Sequence, residues 1–331
     1  AALLLLVLAL PAAADEYAWH LPRGFPTPAV PADNPMSEAK VALGRRLFFE
    51  PRLALNGRYS CASCHEPTRA FTDGRAVAQG ATGKALPHNT MTLTNVAYNI
   101  SFGWQQPHVR SLEAQMRQPL FNEHPVELGL KGRVHALCAQ LGEDPDYAQA
   151  FAQAFPAAPA VSLDHLIKAI AAFERTLIFG SSPFDRYVFA GEHEALSDAA
   201  KRGMALFFSA RAGCAACHSG INFSGNWRDA QGATGRASFA VNGTSARALR
   251  VPTLRNIALT APYMHDGRFA TLAAVLEHYS RLATQRPPLD KRLPQGALSA
   301  AERADLIAFL DSLTDEAFSA PALACERCAA R

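Results

Sequence analysis

The chain has 331 residues, more than one compact core usually accommodates, so two domains are the natural organisation. Its formal net charge is only +3, spread without Lys or Arg runs, so a nucleic acid is not an indicated partner. The chain opens on an apolar run, Ala1 to Leu10, followed by Pro11-Ala12-Ala13-Ala14 and Asp15. That pattern reads as the remnant of a secretory signal peptide over residues 1–14, with its apolar region and small-residue cleavage site, and it is too short to span a bilayer. A Pro-rich lead from Pro22 to Pro35 is expected to be irregular, and Ser37 then caps a helix whose Leu43, Leu47 and Phe48 share one face. That helix delivers the chain to Cys61-Ala62-Ser63-Cys64-His65. Cys138 lies in a later helical stretch as a buried apolar residue. Ser162 to Phe179 carries Leu166, Ile167, Ile170, Phe173 and Leu177 at helical spacing and stops at Gly180, which reads as a bridge between domains.

The second half repeats the first. Ser197 caps a helix through Met204, Leu206 and Phe207, which leads to Cys214-Ala215-Ala216-Cys217-His218. The two approaches match at four of six positions, Gly44-Arg45-Arg46-Leu47-Phe48-Phe49 against Gly203-Met204-Ala205-Leu206-Phe207-Phe208. Beyond the motifs, Thr92-Leu93-Thr94-Asn95-Val96-Ala97 matches Thr253-Leu254-Arg255-Asn256-Ile257-Ala258, and Ser111-Leu112-Glu113-Ala114 matches Thr271-Leu272-Ala273-Ala274. This is an internal duplication. Strand signals are weak, loops such as Gln231 to Asn242 are long, and a last helix from Ala300 to Leu313 is expected to pack over the second site. Near the end Cys325 and Cys328 suit a small disulfide loop better than a metal site in an oxidising compartment.

Each C-x-x-C-H run has one chemistry that uses all its parts. The two thiols attach covalently to the haem vinyl groups and the adjacent histidine supplies the proximal iron ligand. A zinc or thioredoxin-type C-x-x-C needs no histidine directly after the second cysteine in both copies. The expected fold is therefore mainly α, with two cytochrome c-like haem domains related by duplication and joined by long loops. Residues 15–160 form the N-terminal haem domain, and residues 161–331 the bridging helix and C-terminal haem domain.

The motif fixes only the proximal position of each iron, so function turns on the far side. Aligning the helix that opens at Thr271 with the one that opens at Ser111 pairs Tyr279 with Pro119, each eight residues after its start. Tyrosine can ligate iron and proline cannot. On this reading the His218 haem is six-coordinate through Tyr279, and the His65 haem is open to peroxide. The plain alternatives are a core tyrosine and a helix stop.

The two haem motifs, Val251-Pro252-Thr253-Leu254-Arg255-Asn256 and Ala261-Pro262-Tyr263-Met264-His265-Asp266-Gly267 together resemble the bacterial di-haem cytochrome c peroxidase family over nearly all of the mature chain. Ordinary peroxidases of that family carry Met where Tyr279 stands, and a Tyr there resembles the MauG-like branch, which includes the methanobactin-associated di-haem enzymes. A thioether favours ferrous iron, whereas a tyrosine ligand stabilises high-valent iron, so the resemblance implies that the second haem stores an oxidising equivalent. The peroxidases also carry a distal histidine at the position of Ala81; His88 is the nearest other histidine and reads as a loop or haem-edge residue. The resemblance further implies that Gln115, Pro119 and Glu127 line the open haem, with Glu127 as acid/base and Glu123 as a substitute, since the Gln-to-Glu interval is two residues longer here. It implies that Trp104 stands between the haems and that His265 lies beside the C-terminal haem. It implies a calcium ion held by Asn89 with the carbonyls of Thr260 and Pro262. A c-type haem protein of this family is expected in the periplasm.

The functional expectation is a peroxide-dependent di-haem enzyme in which a bis-Fe(IV)-like state oxidises a Trp or Tyr of a surface-docked partner protein. The relatives imply tryptophan-derived cross-linking or conversion to kynurenine. One alternative is a peroxide scavenger fed by a small cytochrome or cupredoxin, and another is a non-catalytic di-haem electron carrier.

Overall fold

Ser37 turns its hydroxyl back to the Lys40 amide and so starts helix α1 (Glu38–Phe48), with an acidic first turn and a basic last turn that both suit the helix dipole. In this computed structural model, which describes residues 17–225, 227–228, 234–235, 238–240, 248–284 and 296–319, α1 is the first of the helices that frame two haem-binding motifs. The segment read as a secretory signal, most of the Gln231 to Asn242 loop and the pair Cys325 and Cys328 lie outside the described residues. After α1 come α2 (Cys61–Cys64), α3 (Leu112–Phe121), α4 (Val134–Glu143), α5 (Pro145–Ala154) and α6 (Leu163–Arg175). The chain continues through the short α7 (Pro183–Asp185), α8 (Asp198–Phe208), α9 (Leu272–Leu282) and α10 (Ala300–Asp311). Strand content among the described residues is two antiparallel ribbons, β1 (Trp227–Arg228) with β2 (Thr234–Gly235), and β3 (Ser238–Ala240) with β4 (Ala248–Arg250).

Each half is closed by a crossing of its first and last helices. In the first half α6 lies across α1, and an added Cβ at Gly44 would overlap the Ala169 carbonyl and the Phe173 side chain. In the second, α10 lies across α8, and a Cβ at Gly203 would overlap the Asp305 carbonyl and Phe309. Glycine allows the backbones to meet at that separation. Ser162, as expected, caps α6, and the apolar face of this segment enters the first core with Leu43, Leu47 and Phe48. The last helix packs with Phe207, Phe223 and Phe184 in a separate second core. Cys138, expected inside, is only half-buried, because the inward face of α4 is taken by Leu137 and Leu141.

The T-L-x-N turns lock each crossing. Asn95 sits at φ 54, donates its amide N–H to the Leu177 carbonyl at 2.8 Å, and uses its side chain to accept from the Phe179 amide and donate to the Phe179 carbonyl at 2.6 and 2.9 Å. Asn256 sits at φ 59, donates its amide to the Leu313 carbonyl at 3.0 Å and accepts from the Asp315 amide at 2.7 Å. Asparagine tolerates the left-handed conformation and carries both a donor and an acceptor, so one residue type serves both needs.

The halves are joined through polar contacts. The Asn256 side chain reaches the Thr94 hydroxyl at 3.4 Å. A fully buried ion pair, Arg255 to Asp185 at 2.9 Å, stands beneath the Pro-rich lead, where the Arg255 guanidinium lies 4.7 Å from the Phe25 ring centroid. The Tyr98 hydroxyl donates to the Pro26 carbonyl at 2.7 Å and fixes the same lead. Among the described residues no helix is long and apolar enough to cross a membrane.

Candidate haem sites and the space between them

The two histidines are held alike. His65 Nδ1 donates to the Phe71 carbonyl at 3.0 Å, and His218 Nδ1 to the Phe223 carbonyl at 2.9 Å. A carbonyl only accepts, so the proton is on Nδ1 and Nε2 keeps its lone pair, the arrangement a metal-bound imidazole needs. Phe71 and Phe223 both adopt positive φ, 61 and 47, which turns their carbonyls onto the rings. Burial holds both imidazoles below their ordinary pKa, so each is a neutral donor. The four motif cysteines are free thiols, and burial pushes Cys64 up to about 12 and Cys214 up to about 11. On α3 the Gln115 side-chain oxygen is buried without a partner. Two unbridged thiols and one oriented imidazole per half fit a covalently attached haem in each.

The far sides differ. In α3, Pro119 stands inside the helix with nothing to offer a metal, and its carbonyl accepts from the Leu128 amide at 2.9 Å. Glu127 follows on the chain that turns back from α3. Its carboxyl is pushed above the ordinary carboxylate range, foremost by burial, with an Asn122 side-chain bond opposing. Its charge acts on both Cys61 and Cys64, which sets it beside the first haem motif. Its carbonyl accepts from the Ala81 amide at 2.6 Å, so Ala81 and Glu127 are neighbours and no imidazole intervenes at that position. Glu123 is exposed and ion-paired with Lys131 at 2.5 Å. Of Glu127 and Glu123, Glu127 is therefore the one near the first haem motif, where Glu174 and Asp73 also act on its cysteines.

In α9, Tyr279 is half-buried, and its hydroxyl has no hydrogen-bond partner among the described residues. Burial foremost, then the nearby Cys217 and Cys214 sulfurs, push the phenol up to about 12. The same sulfurs show that it lies near the second haem motif.

Between the halves a cavity of about 60 Å³ is lined by Asn89, Trp104, Thr260, Pro262, Tyr263 and Arg250 among others. Trp104 donates its indole N–H to the Asn89 carbonyl at 2.9 Å, and the Asn89 amide donates to the His265 carbonyl at 2.8 Å. The His265 ring stands edge-on to Trp104 at 6.3 Å and tilted to His88 at 5.8 Å. The His88 Nδ1 is buried without a partner, and burial foremost lowers that imidazole's pKa. The Asn89 amide N donates to the Arg75 carbonyl at 2.7 Å, which leaves Oδ1 as the free donor atom for a cation. Sequence reasoning passed over Arg250, since a single arginine near a turn carries no motif.

Comparison with known proteins agrees with this geometry. The family described as di-haem cytochrome c peroxidase matches residues 38–194, and the cytochrome c family matches residues 200–314. The methylamine utilization protein MauG of Methylorubrum extorquens is 39% identical, covering 86% of this chain and 81% of its own length. Cytochrome c551 peroxidase of Pseudomonas aeruginosa is 32% identical over 85% of this chain and 80% of its own. The crystal structure of a MauG-like protein associated with microbial copper homeostasis superposes with a TM-score of 0.86 at 36% identity, covering 94% of this chain and 99% of that one. With two haem-binding halves of the same build, the chain belongs to the di-haem cytochrome c peroxidase family, resembles its MauG members, and is a haem-dependent oxidoreductase of the peroxidase type.

Proposed function

We propose that the protein is a periplasmic enzyme that uses hydrogen peroxide to oxidise a Trp or Tyr side chain of a partner protein docked on its surface. The observation that carries this reading is the pairing of Pro119 with Tyr279 at matched positions of α3 and α9. When bound, the two haems supply reaction with peroxide and storage of its two oxidising equivalents. The residues of the chain make the sites unequal. His65 Nε2 would ligate the first haem, while Pro119 and the small Ala81 would offer it no second ligand. The raised carboxyl of Glu127 is suited to take a proton from peroxide and return it to the leaving oxygen. Gln115, with its buried free oxygen, orients the incoming molecule. His218 Nε2 and the Tyr279 oxygen would both serve as ligands of the second haem, which would leave that site no place for substrate. Trp104, pinned by the Asn89 carbonyl, sets an aromatic ring between the halves. Asn89 Oδ1 and the carbonyls of Thr260 and Pro262, which line the same cavity, would hold a calcium ion, since hard neutral oxygens suit that ion.

The test is spectroscopic. One equivalent of hydrogen peroxide added to the diferric protein is expected to change the absorption of both haems, and Tyr279→Met to confine the change to one. A change confined to one haem in the unaltered protein overturns the reading and favours a peroxidase fed by a small electron donor. Two low-spin ferric signals in the resting protein would instead identify a non-catalytic carrier.

A further inference from the structure

Arg250 ends β4 and projects into the cavity between the halves. Its amide donates to the Trp104 carbonyl at 2.9 Å, its Nε to the Gly103 carbonyl at 3.2 Å, and its Nη2 contacts the Met91 sulfur at 3.0 Å. These partners are neutral, and among the described residues no carboxylate pairs with it. Burial alone pushes the guanidinium down to about 10, far below the range of an arginine in water. Arg175 and Arg255, both buried, behave differently, since Arg175 is paired with Glu113 at 2.7 Å and Arg255 with Asp185 at 2.9 Å. Thr90, which lines the same cavity, also keeps a buried hydroxyl without a partner. A buried arginine cation is normally matched by an anion, and the described residues supply none.

We propose that Arg250 is a positioning residue that anchors a haem propionate in the space between the two sites. A c-type haem, tethered through its vinyl groups, brings two carboxylates, and a planar guanidinium is the side chain best shaped to bind one. The matched position in the first half is Asn89, three residues before Thr92 as Arg250 is three before Thr253. One side of the cavity is thus neutral and the other cationic. Trp104 is tied to both, through the Asn89 carbonyl and the Arg250 amide. The anchor therefore also fixes the Trp104 backbone against the propionate-bearing haem. The inference rests on the presence of the two haems and not on which partner is oxidised.

The test is a redox titration of the holoprotein as a function of pH. With Arg250 in place the propionate stays ionised, and both haem potentials are expected to be flat between about pH 5.5 and 8. In Arg250→Gln, carrying two haems by pyridine haemochrome assay, the freed carboxyl titrates in that window, so one haem's potential falls as pH rises. Arg250→Lys restores the flat profile. The haem that responds is the one whose propionate is held. Profiles of Arg250→Gln that superimpose on the parent overturn the proposal while leaving the peroxide reading intact. Should Arg250→Gln fail to load haem, resonance Raman of Arg250→Lys decides instead: a moved propionate bending band supports the anchor, and unmoved bands sink it.

Discussion

In the first half Pro119 stands in α3 where the second half has Tyr279 in α9, and Glu174 stands on α6 where the second half has Leu310 on α10. Around these differences the plan is shared: a glycine at the helix crossing, a left-handed asparagine clamping the chain beyond the last helix, and a phenylalanine carbonyl orienting the histidine. The shared features hold backbone against backbone, and the divergent ones are side chains beside a haem motif or in the cavity between them. The scaffold of the two halves is thus separable from their chemistry, which can be changed one side chain at a time.

The largest effects are expected where the halves differ chemically. Glu127→Gln keeps the shape but removes the proposed proton shuttle, and should slow the reaction with peroxide by about 10²–10⁴-fold in stopped-flow absorption. Glu123→Gln, at an exposed ion pair, should leave that rate unchanged. Equal loss in both variants would mean that Glu127 is not the acid/base, and the first half would lose its claim to the peroxide.

Smaller effects are expected where the halves agree. Asn95→Ala removes both side-chain bonds to Phe179 and leaves alanine at φ 54, whereas Asn256→Ala removes the Asp315 bond and a long contact to Thr94. Each unmade buried bond costs ~1–3 kcal/mol, so Asn95→Ala should lower the urea midpoint more than Asn256→Ala. Gly44→Ala and Gly203→Ala force apart the same kind of crossing and should each cost ~1–3 kcal/mol, to a similar extent in both halves. A tolerated alanine at either glycine would show that its helices stand further apart than the backbone contact requires.

Much of this duality was legible in the sequence, because the features that repeat are short and chemically specific. C-x-x-C-H and T-L-x-N leave their mark in single residues, and the caps Ser37, Ser162 and Ser197 all stand where their hydroxyls meet the backbone. Periodicity identified α6 as a helix but could not say which core its apolar face enters, since that depends on Gly44 meeting Ala169 across more than a hundred residues. The carboxyl beside the first haem motif was open between Glu127 and Glu123, and only the Ala81 amide bond and the Lys131 ion pair separate them. Arg250 and Glu174 were invisible, because their meaning lies in what is missing around them.

Glu174 gives the mildest and most informative contrast. It is buried at 9% exposure, and burial foremost, with Glu113 adding and Arg175 opposing, pushes its carboxyl up to about 8. An unfolded glutamate titrates near ~4.3, so between there and about 8 the folded protein holds a proton that the unfolded chain has lost. Stability contributed by the neutral carboxyl is therefore complete at low pH and lost as pH rises through that window. Glu174→Gln or Glu174→Leu, the latter installing the residue of the second half, removes the titration. Either should match the parent near pH ~4, gain stability progressively as pH rises through that window, by at most ~1.4 kcal/mol per pH unit, and gain no more above about pH 8. Calorimetry across that range checks it. A difference that stays constant with pH would mean Glu174 is already ionised in the folded protein, and that the first half, like the second, keeps no proton in its core.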